Sequence, residues 1–552
     1  MTDSTLRIHP SDNVAVALRD LKQGETVMNN GDGYLLSENI PAKHKFTLVD
    51  LPKDADIIMY GVLVGRSNEP IQKGKLISTK NIRHASGAFG LKERKTYWQR
   101  PDTGAWKSKT FMGYHRADGS VGTANHWIVL PMVFCENKNV EVLQEAFLKA
   151  LGYQPSQSPY EAMLQKMASA YSSGESERNW SEPVTKKPVI ESVSQEKIFS
   201  NIDGIKFLTH TLGCGGTRQD ARALCGLLAG YITHPNVAGA TVLSLGCQNA
   251  QVSILKEEIA KRDSQFSKPL IILEQQQIGN EQDLLREAVV QTFAALVEAN
   301  KLHRAPAPIS KLCIGLECGG SDGFSGISVN PAIGFTSDIL VATGGSVILS
   351  EFPELCGVEQ ELSDRCVDEN IAARFIDLMK TYNEKAVAVG SGFYANPSPG
   401  NIRDGLITDA IKSAGAAKKG GTSPVTDVLD YPEKVSKSGL NLLCTPGSDI
   451  ESTTAEVGSG ANIVLFTTGL GTPTGNPIAP VLKLSSNTAL YKKMTDIIDI
   501  DTGTIIEGKE TIEEAGERIL DYVIKVASGE VKAKADEKGH DDFIPWKRGI
   551  SL

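Results

Sequence analysis

The chain has 552 residues, 41% hydrophobic and 22% charged, with a net charge of -9 from 57 basic and 66 acidic residues. That is a globular composition, long enough for about two to four domains. The acidic balance, without a basic stripe or interleaved aromatics, excludes a nucleic-acid partner. No apolar run approaches the ~18 residues of a membrane span, and the start "MTDSTLRIHPSDN" lacks a signal-peptide plan, so a cytoplasmic protein with no membrane partner is expected.

Residues 1–84 read as a β-rich module: short apolar runs such as "NVAVAL" and "DIIMYGVLVG" alternate with Gly, Asp and Lys turns. Residues 85–110 have little periodicity and read as a linker. From 111 to 304 strands alternate with helices, which predicts a mostly parallel α/β region. Strands are expected at "WIVLPMVF" (127–134), "IKFL", "ATVLSLGC" and "LIIL", and helices at "EVLQEAFLKAL" (141–151), "TRQDARALCGLLAGYI" and "SILKEEIAKR". Residues 153–188, rich in Ser, Pro, Gln and Lys, read as an insertion. Asn280 is placed to cap a helix from Glu281, with Asp283 as its partner and Leu284, Ala288, Val289, Phe293, Leu296 and Val297 as the apolar stripe. A second α/β region follows from 305 to 552, with strands expected at "LCIGLE", "SVILSE", "AVAVG", "LNLLC" and "NIVLFTTG", and a charged, exposed stretch at 529–541.

Nine cysteines without an export signal argue against a disulfide framework, and no CxxC pair suggests a zinc ribbon. Cys135, Cys214, Cys247, Cys318 and Cys444 each close an apolar strand-like run, mostly just before Gly or Asn. In open parallel sheets ligands sit beyond the carboxyl ends of the strands. A single cysteine there is more often core filler. Cys214, Cys247 and Cys318, each in a Gly-rich loop, favour a soft metal instead, either mononuclear iron or an iron–sulfur cluster.

His44 and His210 are the histidines best placed as proton carriers, each against an even chance of a structural role. "GYHRADGSVGTANHW" offers Arg116 as a carboxylate clamp, with Thr123 and Asn125 beside it, or else a tight turn with a structural Arg–Asp pair. Glu351 is a weaker metal ligand. "FTTGLGTPTGNP" has the spacing GxGxxxG with two prolines, a poor dinucleotide fingerprint.

Taken together, "RIHPSDNVAVAL", "GYHRADGSVGTAN", "HTLGCGGTRQD", "HPNVAGATVLSLGCQNAQ", "CGGSDGFSGISVNPAIG", "LSEFPELCG" and "FTTGLGTPTGNPIAP" resemble the altronate and galactarate dehydratase family, in its order, from residue 7 to about 480. "IPAKHKF" and "VFCENKNVEVL" are most similar to its altronate branch. The resemblance implies a SAF-type N-terminal module before two α/β regions, and a hydro-lyase forming a 2-keto-3-deoxy acid from a sugar acid. It also implies a divalent metal, Fe2+ with Mn2+ as the alternative, and a homo-oligomer is expected. His44, His210, Arg116 and Asp322 are then expected in catalysis. Lys80, Thr123, Asn125 and Ser321 are expected on the substrate, and Cys214, Cys247, Cys318 and Glu351 on the metal, all in one pocket under the module. The chain departs from the family at Ser78-Thr79-Lys80-Asn81, where a His-rich end is usual, and at Met59, Ala124 and Leu470, where cations are usual. Lys43, Lys45 or Lys80 would have to compensate. Two other classes stay open: a nicotinamide-linked oxidoreductase and a sugar-acid sensor without turnover.

Overall fold

The computed structural model describes residues 4–29, 31–154, 159–174 and 196–551. Half of the expected insertion at 153–188 lies outside the described residues; the described half includes the helix Pro159–Ser172.

The N-terminal module is antiparallel. Val14–Ala17 pairs with Lys45–Thr47, and Asp56–Met59 with Val62–Ser67. Val14, Ala15, Val16 and Ala17 are all buried, because alternate side chains leave a strand on opposite faces. Ala15 and Ala17 enter a core private to the module. Val14 and Val16 enter a core that runs on into the C-terminal region through Leu316, Phe324 and Ile411. The irregular segment that follows is pinned to the same region: Lys95 N–H donates to Asp364 O, and Trp98 Nε1–H to Thr422 Oγ1.

The second region holds a parallel sheet in the order Gly204–Phe207, His126–Pro131, Val237–Ser244, Leu270–Glu274. Every residue of Val237–Ser244 is buried, as expected of a strand covered on both faces. The first strand ends at Pro131, and Phe134–Glu136 form a short turn rather than its continuation. Asn280 caps the helix Glu281–Ala299 through Gln282 N–H, not through residue 283. The buried side of that helix is Leu284, Ala288, Thr292 and Leu296, while Val289, Phe293 and Val297 stay at least partly exposed.

The third region is a seven-stranded parallel sheet in the order Val425–Leu429, Gly439–Leu443, Ser346–Leu349, Cys313–Cys318, Ile463–Thr468, Val481–Ser485, Ile500–Asp501. The run 386–390 ("AVAVG") is the frayed end of the helix Glu369–Ala388, not a strand; Val387 and Val389 are exposed, so no sheet position exists for them. Within 529–541, Ala533 and Ala535 are buried around the short helix Lys534–Lys538. The helices Arg218–Thr233 and Asp449–Gly458 join the two sheets: Tyr231 Oη donates to Thr454 O, 3.3 Å, and a common core spans both.

Candidate functional site

The strand Cys313–Cys318 begins its sheet at the centre. The chain passes next to Ser346–Leu349 on one side and later to Ile463–Thr468 on the other. Chain direction therefore reverses about this strand, and the crevice beyond its carboxyl end is where open α/β sheets bind ligands. Cys318, Gly319, Ser321 and Asp322 line that crevice. A side chain on Gly319 would collide with the Asp449 carboxylate, so this close approach requires glycine.

A buried charged network fills the crevice floor. Cys318 Sγ lies 3.4 Å from Glu351 Oε2, 3.3 Å from Glu354 Oε2 and 2.9 Å from Lys419 Nζ. Lys419 Nζ donates to Glu351 Oε2 at 2.6 Å, and Lys412 Nζ to Glu354 Oε1 at 2.5 Å. Glu351 holds this place with a left-handed backbone (φ 61°) that few non-glycine residues adopt.

Burial and charge sort these groups into two states. Burial opposes charge on Lys419 and Lys412, but the thiol and carboxylates around them outweigh it and raise both pKa values. Burial likewise opposes ionisation of Glu354, and Lys412 and Lys419 overcome it, so its carboxyl is held below the ordinary range. Burial, then Glu351 and Glu354, push the Cys318 thiol well up. Asp449 is raised to about 7 by burial and then by Glu351 and Glu354, placing a proton donor and acceptor at neutral pH.

The module closes the crevice with its turn at residues 41–45. Lys43 takes a positive φ of 73° and sends its ammonium to Asp322 Oδ2 at 3.1 Å and Asp404 Oδ1 at 2.9 Å. Its carbonyl lies where side chains on Gly323 or Gly405 would collide with it. His44 Nε2–H donates to Arg403 O at 3.1 Å, while its Nδ1 is buried without a hydrogen-bond partner. Burial holds the His44 imidazole below its ordinary pKa, so this nitrogen is unprotonated at neutral pH. Lys45 is fully buried, donates to Lys43 O and Gly405 O, and is brought down to about 7 by burial.

The other parallel sheet ends differently. Cys135, Cys214 and Cys247 are all exposed beyond its carboxyl ends. They lie close enough that, after burial, Cys214 and Cys247 help raise the Cys135 thiol. Their neighbours are mostly amides: Gln276 Nε2 is 3.3 Å from Cys247 Sγ, and Asn249 Nδ2 donates to Cys214 O at 2.7 Å.

Three consecutive stretches match known family descriptions. Residues 3–85 match the altronate/galactarate dehydratase SAF domain, 113–300 the second domain of D-galactarate dehydratase/altronate hydrolase, and 309–551 the D-galactarate/altronate dehydratase C-terminal domain. The chain is 32% identical to an altronate dehydratase of Bacillus subtilis (strain 168) over 100% of both chains. It is 33% identical to one of Escherichia coli (strain K12) over 99% of both. It is 30% identical to an L-threo-forming galactarate dehydratase of E. coli (strain K12), over 97% of this chain and 94% of the relative. The chain belongs to the altronate/galactarate dehydratase family. It is a hydro-lyase, and its reaction class is the dehydration of a sugar acid.

In this dehydratase the residues expected in one pocket are divided among several places. Ser321, Asp322, Cys318 and Glu351 lie at the C-terminal crevice, and His44 sits in the covering turn, against Arg403 O. Cys214 and Cys247 belong to the other sheet, so they do not join Cys318, and Cys135 joins them instead. Arg116, Thr123 and Asn125 precede the strand His126–Pro131, at its amino-terminal end, away from either crevice. There Arg116 donates to Pro235 O and Asn125 Oδ1, and Thr123 Oγ1 to Asn462 O, as a brace between the two regions. Lys80 is exposed on the Ser78–Asn81 turn.

His210 is buried, with Nε2–H donating to Pro131 O and Nδ1 accepting Leu212 N–H. Both nitrogens are used and burial lowers its pKa to about 4, so it is structural. Asp322 Oδ1 accepts from Phe324 N–H, Ser325 N–H and two serine hydroxyls, which makes it an organiser of the loop. Among the described residues no helix begins between Gly469 and Val481, so the loop after Thr468 lacks the helix a dinucleotide phosphate requires. None is long and apolar enough to cross a membrane.

The sequence reading missed Lys412, Lys419, Glu354 as a lysine partner, and Asp449. A signal existed for Lys419: "AGAAKKGG" puts two lysines between small residues and a Gly pair, and Lys419 is buried where Lys418 is half-buried.

Proposed function

We propose that the chain removes water from a hexonate, altronate first, to give a 2-keto-3-deoxy acid. The support for altronate is the pair of full-length relatives named altronate dehydratase, at 32% and 33% identity. The observation that carries the chemistry is the C-terminal crevice itself, where groups in complementary protonation states face one another. The proton beside a carboxylate is weakly acidic, so its removal needs a base and a positive field for the enediolate that forms. His44 Nδ1 is the base, and the ammonium groups of Lys43 and Lys412 hold the substrate carboxylate and stabilise the enediolate. Protonated Asp449 donates to the departing hydroxyl, which leaves as water.

The metal that the family implies does not fit Cys318, Glu351 and Glu354. Their ligand atoms lie within 4.8 Å of one another, but lysine ammonium groups already contact all three. Cys135, Cys214 and Cys247 are exposed soft donors, but their sulfurs do not all lie within 4.8 Å of one another, which leaves an iron–sulfur cluster rather than a single ion as the group they would hold. Iron bound there would supply Lewis-acid polarisation of a hydroxyl. That exposure favours a second placement of the chemistry, with the substrate at the thiols.

Assay of a panel of hexonates and hexarates for 2-keto acid formation tests the substrate; faster turnover of galactarate than of altronate would refute it. Asp449→Asn and Cys214→Ser decide the placement. The first reading requires the aspartate change to abolish turnover in protein whose iron content is unchanged.

A further inference from the structure

Away from both crevices, where the end of the module meets the C-terminal region, His84, Cys356 and Asp409 bring one ligand atom each within 4.8 Å of one another. They line a cavity of about 390 Å³ together with Glu359. The Cys356 thiol reaches the carboxyls of both Asp409 and Glu359, and His84 Nδ1 contacts Asp409 Oδ1. Asp409 and Glu359 are 2% and 4% exposed, so water does not compensate their charge.

The contrast with the catalytic crevice is informative. There Glu351 and Glu354 each have a lysine. Here, among the described residues, no ion pair joins Lys or Arg to Glu359 or Asp409. Neither Asp409 oxygen accepts a well-formed hydrogen bond. A buried carboxylate without donors is costly, and a cation removes that cost. One imidazole nitrogen, one sulfur and one carboxylate form the mixed set that a borderline divalent transition metal takes, with a further position open to water or to Glu359. Gly357 N–H holds Glu359 Oε2 at 2.6 Å, which fixes that carboxyl next to the thiol.

We propose that His84, Cys356 and Asp409, with Glu359 beside them, form a structural site for a divalent transition metal of the zinc class. The site staples three segments. His84 follows the module strand Ile82–Arg83, Cys356 and Glu359 flank the turn after Phe352–Leu355, and Asp409 opens the helix that carries Lys412. The metal fixes the module against the helix whose lysine enters the catalytic crevice. Binding releases the thiol proton to solvent.

The test titrates full-length, chelator-treated protein with Co2+, using a host in which Cys135, Cys214 and Cys247 are all serine. The host should bind Co2+ with a thiolate-to-metal charge-transfer band in the near ultraviolet. Cys356→Ser should abolish the band, and His84→Ala or Asp409→Asn should weaken binding by about 10–100-fold. Circular dichroism identifies any variant that has unfolded, and the other two then serve. A host without the band, or a folded Cys356→Ser protein that keeps it, would overturn the site.

Discussion

Two parallel sheets in one chain end in opposite ways. The C-terminal sheet ends in charge sealed from water: Glu351 is fully buried and Lys419 is 1% exposed, the two in contact. The second sheet ends in three thiols open to solvent, with side-chain amides at Cys214 and Cys247. The same topological rule makes both crevices, so topology alone does not assign chemistry. The difference is the cover. The module turn at 41–45 lies over one crevice, and a sealed cluster needs internal countercharges that an exposed one does not.

The largest expected effect sharpens that contrast at the cover. His44→Ala should lower turnover by roughly 10²–10⁴ with the fold intact; steady-state 2-keto acid formation with a thermal melt measures both. Next, Lys419→Met leaves Glu351 buried without its partner and should cost about 3–5 kcal/mol in denaturant unfolding. A variant as stable as the wild type would break the idea that the sealed sheet end depends on internal pairing.

The third effect is read through pH. Folding raises Asp449 from 3.8 to about 7, so the folded state favours its protonated form. The resulting stabilisation is complete below the unfolded value and is lost as pH rises through about 7. Asp449→Asn should therefore gain stability relative to wild type with rising pH and level off above neutrality, in melts taken across pH. The smallest stability effect belongs to the open sheet end. Cys214→Ser combined with Cys247→Ser should shift stability by no more than about 0.5 kcal/mol, while any iron charge-transfer absorption of anaerobically purified protein disappears.

Much of this architecture was legible in the sequence, for identifiable reasons. Cysteines closing apolar runs marked strand ends, and Val237–Ser244 reads as a buried strand from its composition alone. What one dimension conceals is which sheet a strand end joins: Cys214, Cys247 and Cys318 share a local texture, yet two sheets divide them. Lysine presents the same difficulty. Lys412 and Lys419 look solvated by type, and only packing against Glu354 and Glu351 shows otherwise. The run at 386–390 misled for the opposite reason, since Val387 and Val389 lie exposed at a helix end where β propensity has nothing to pack against.

The shared core of the module and the C-terminal sheet has a consequence for biosynthesis. Val14 and Val16 leave the ribosome early, but their partners Leu316 and Ile411 emerge hundreds of residues later. Until then one flank of the newborn module stays uncovered and sticky, a natural client for chaperones.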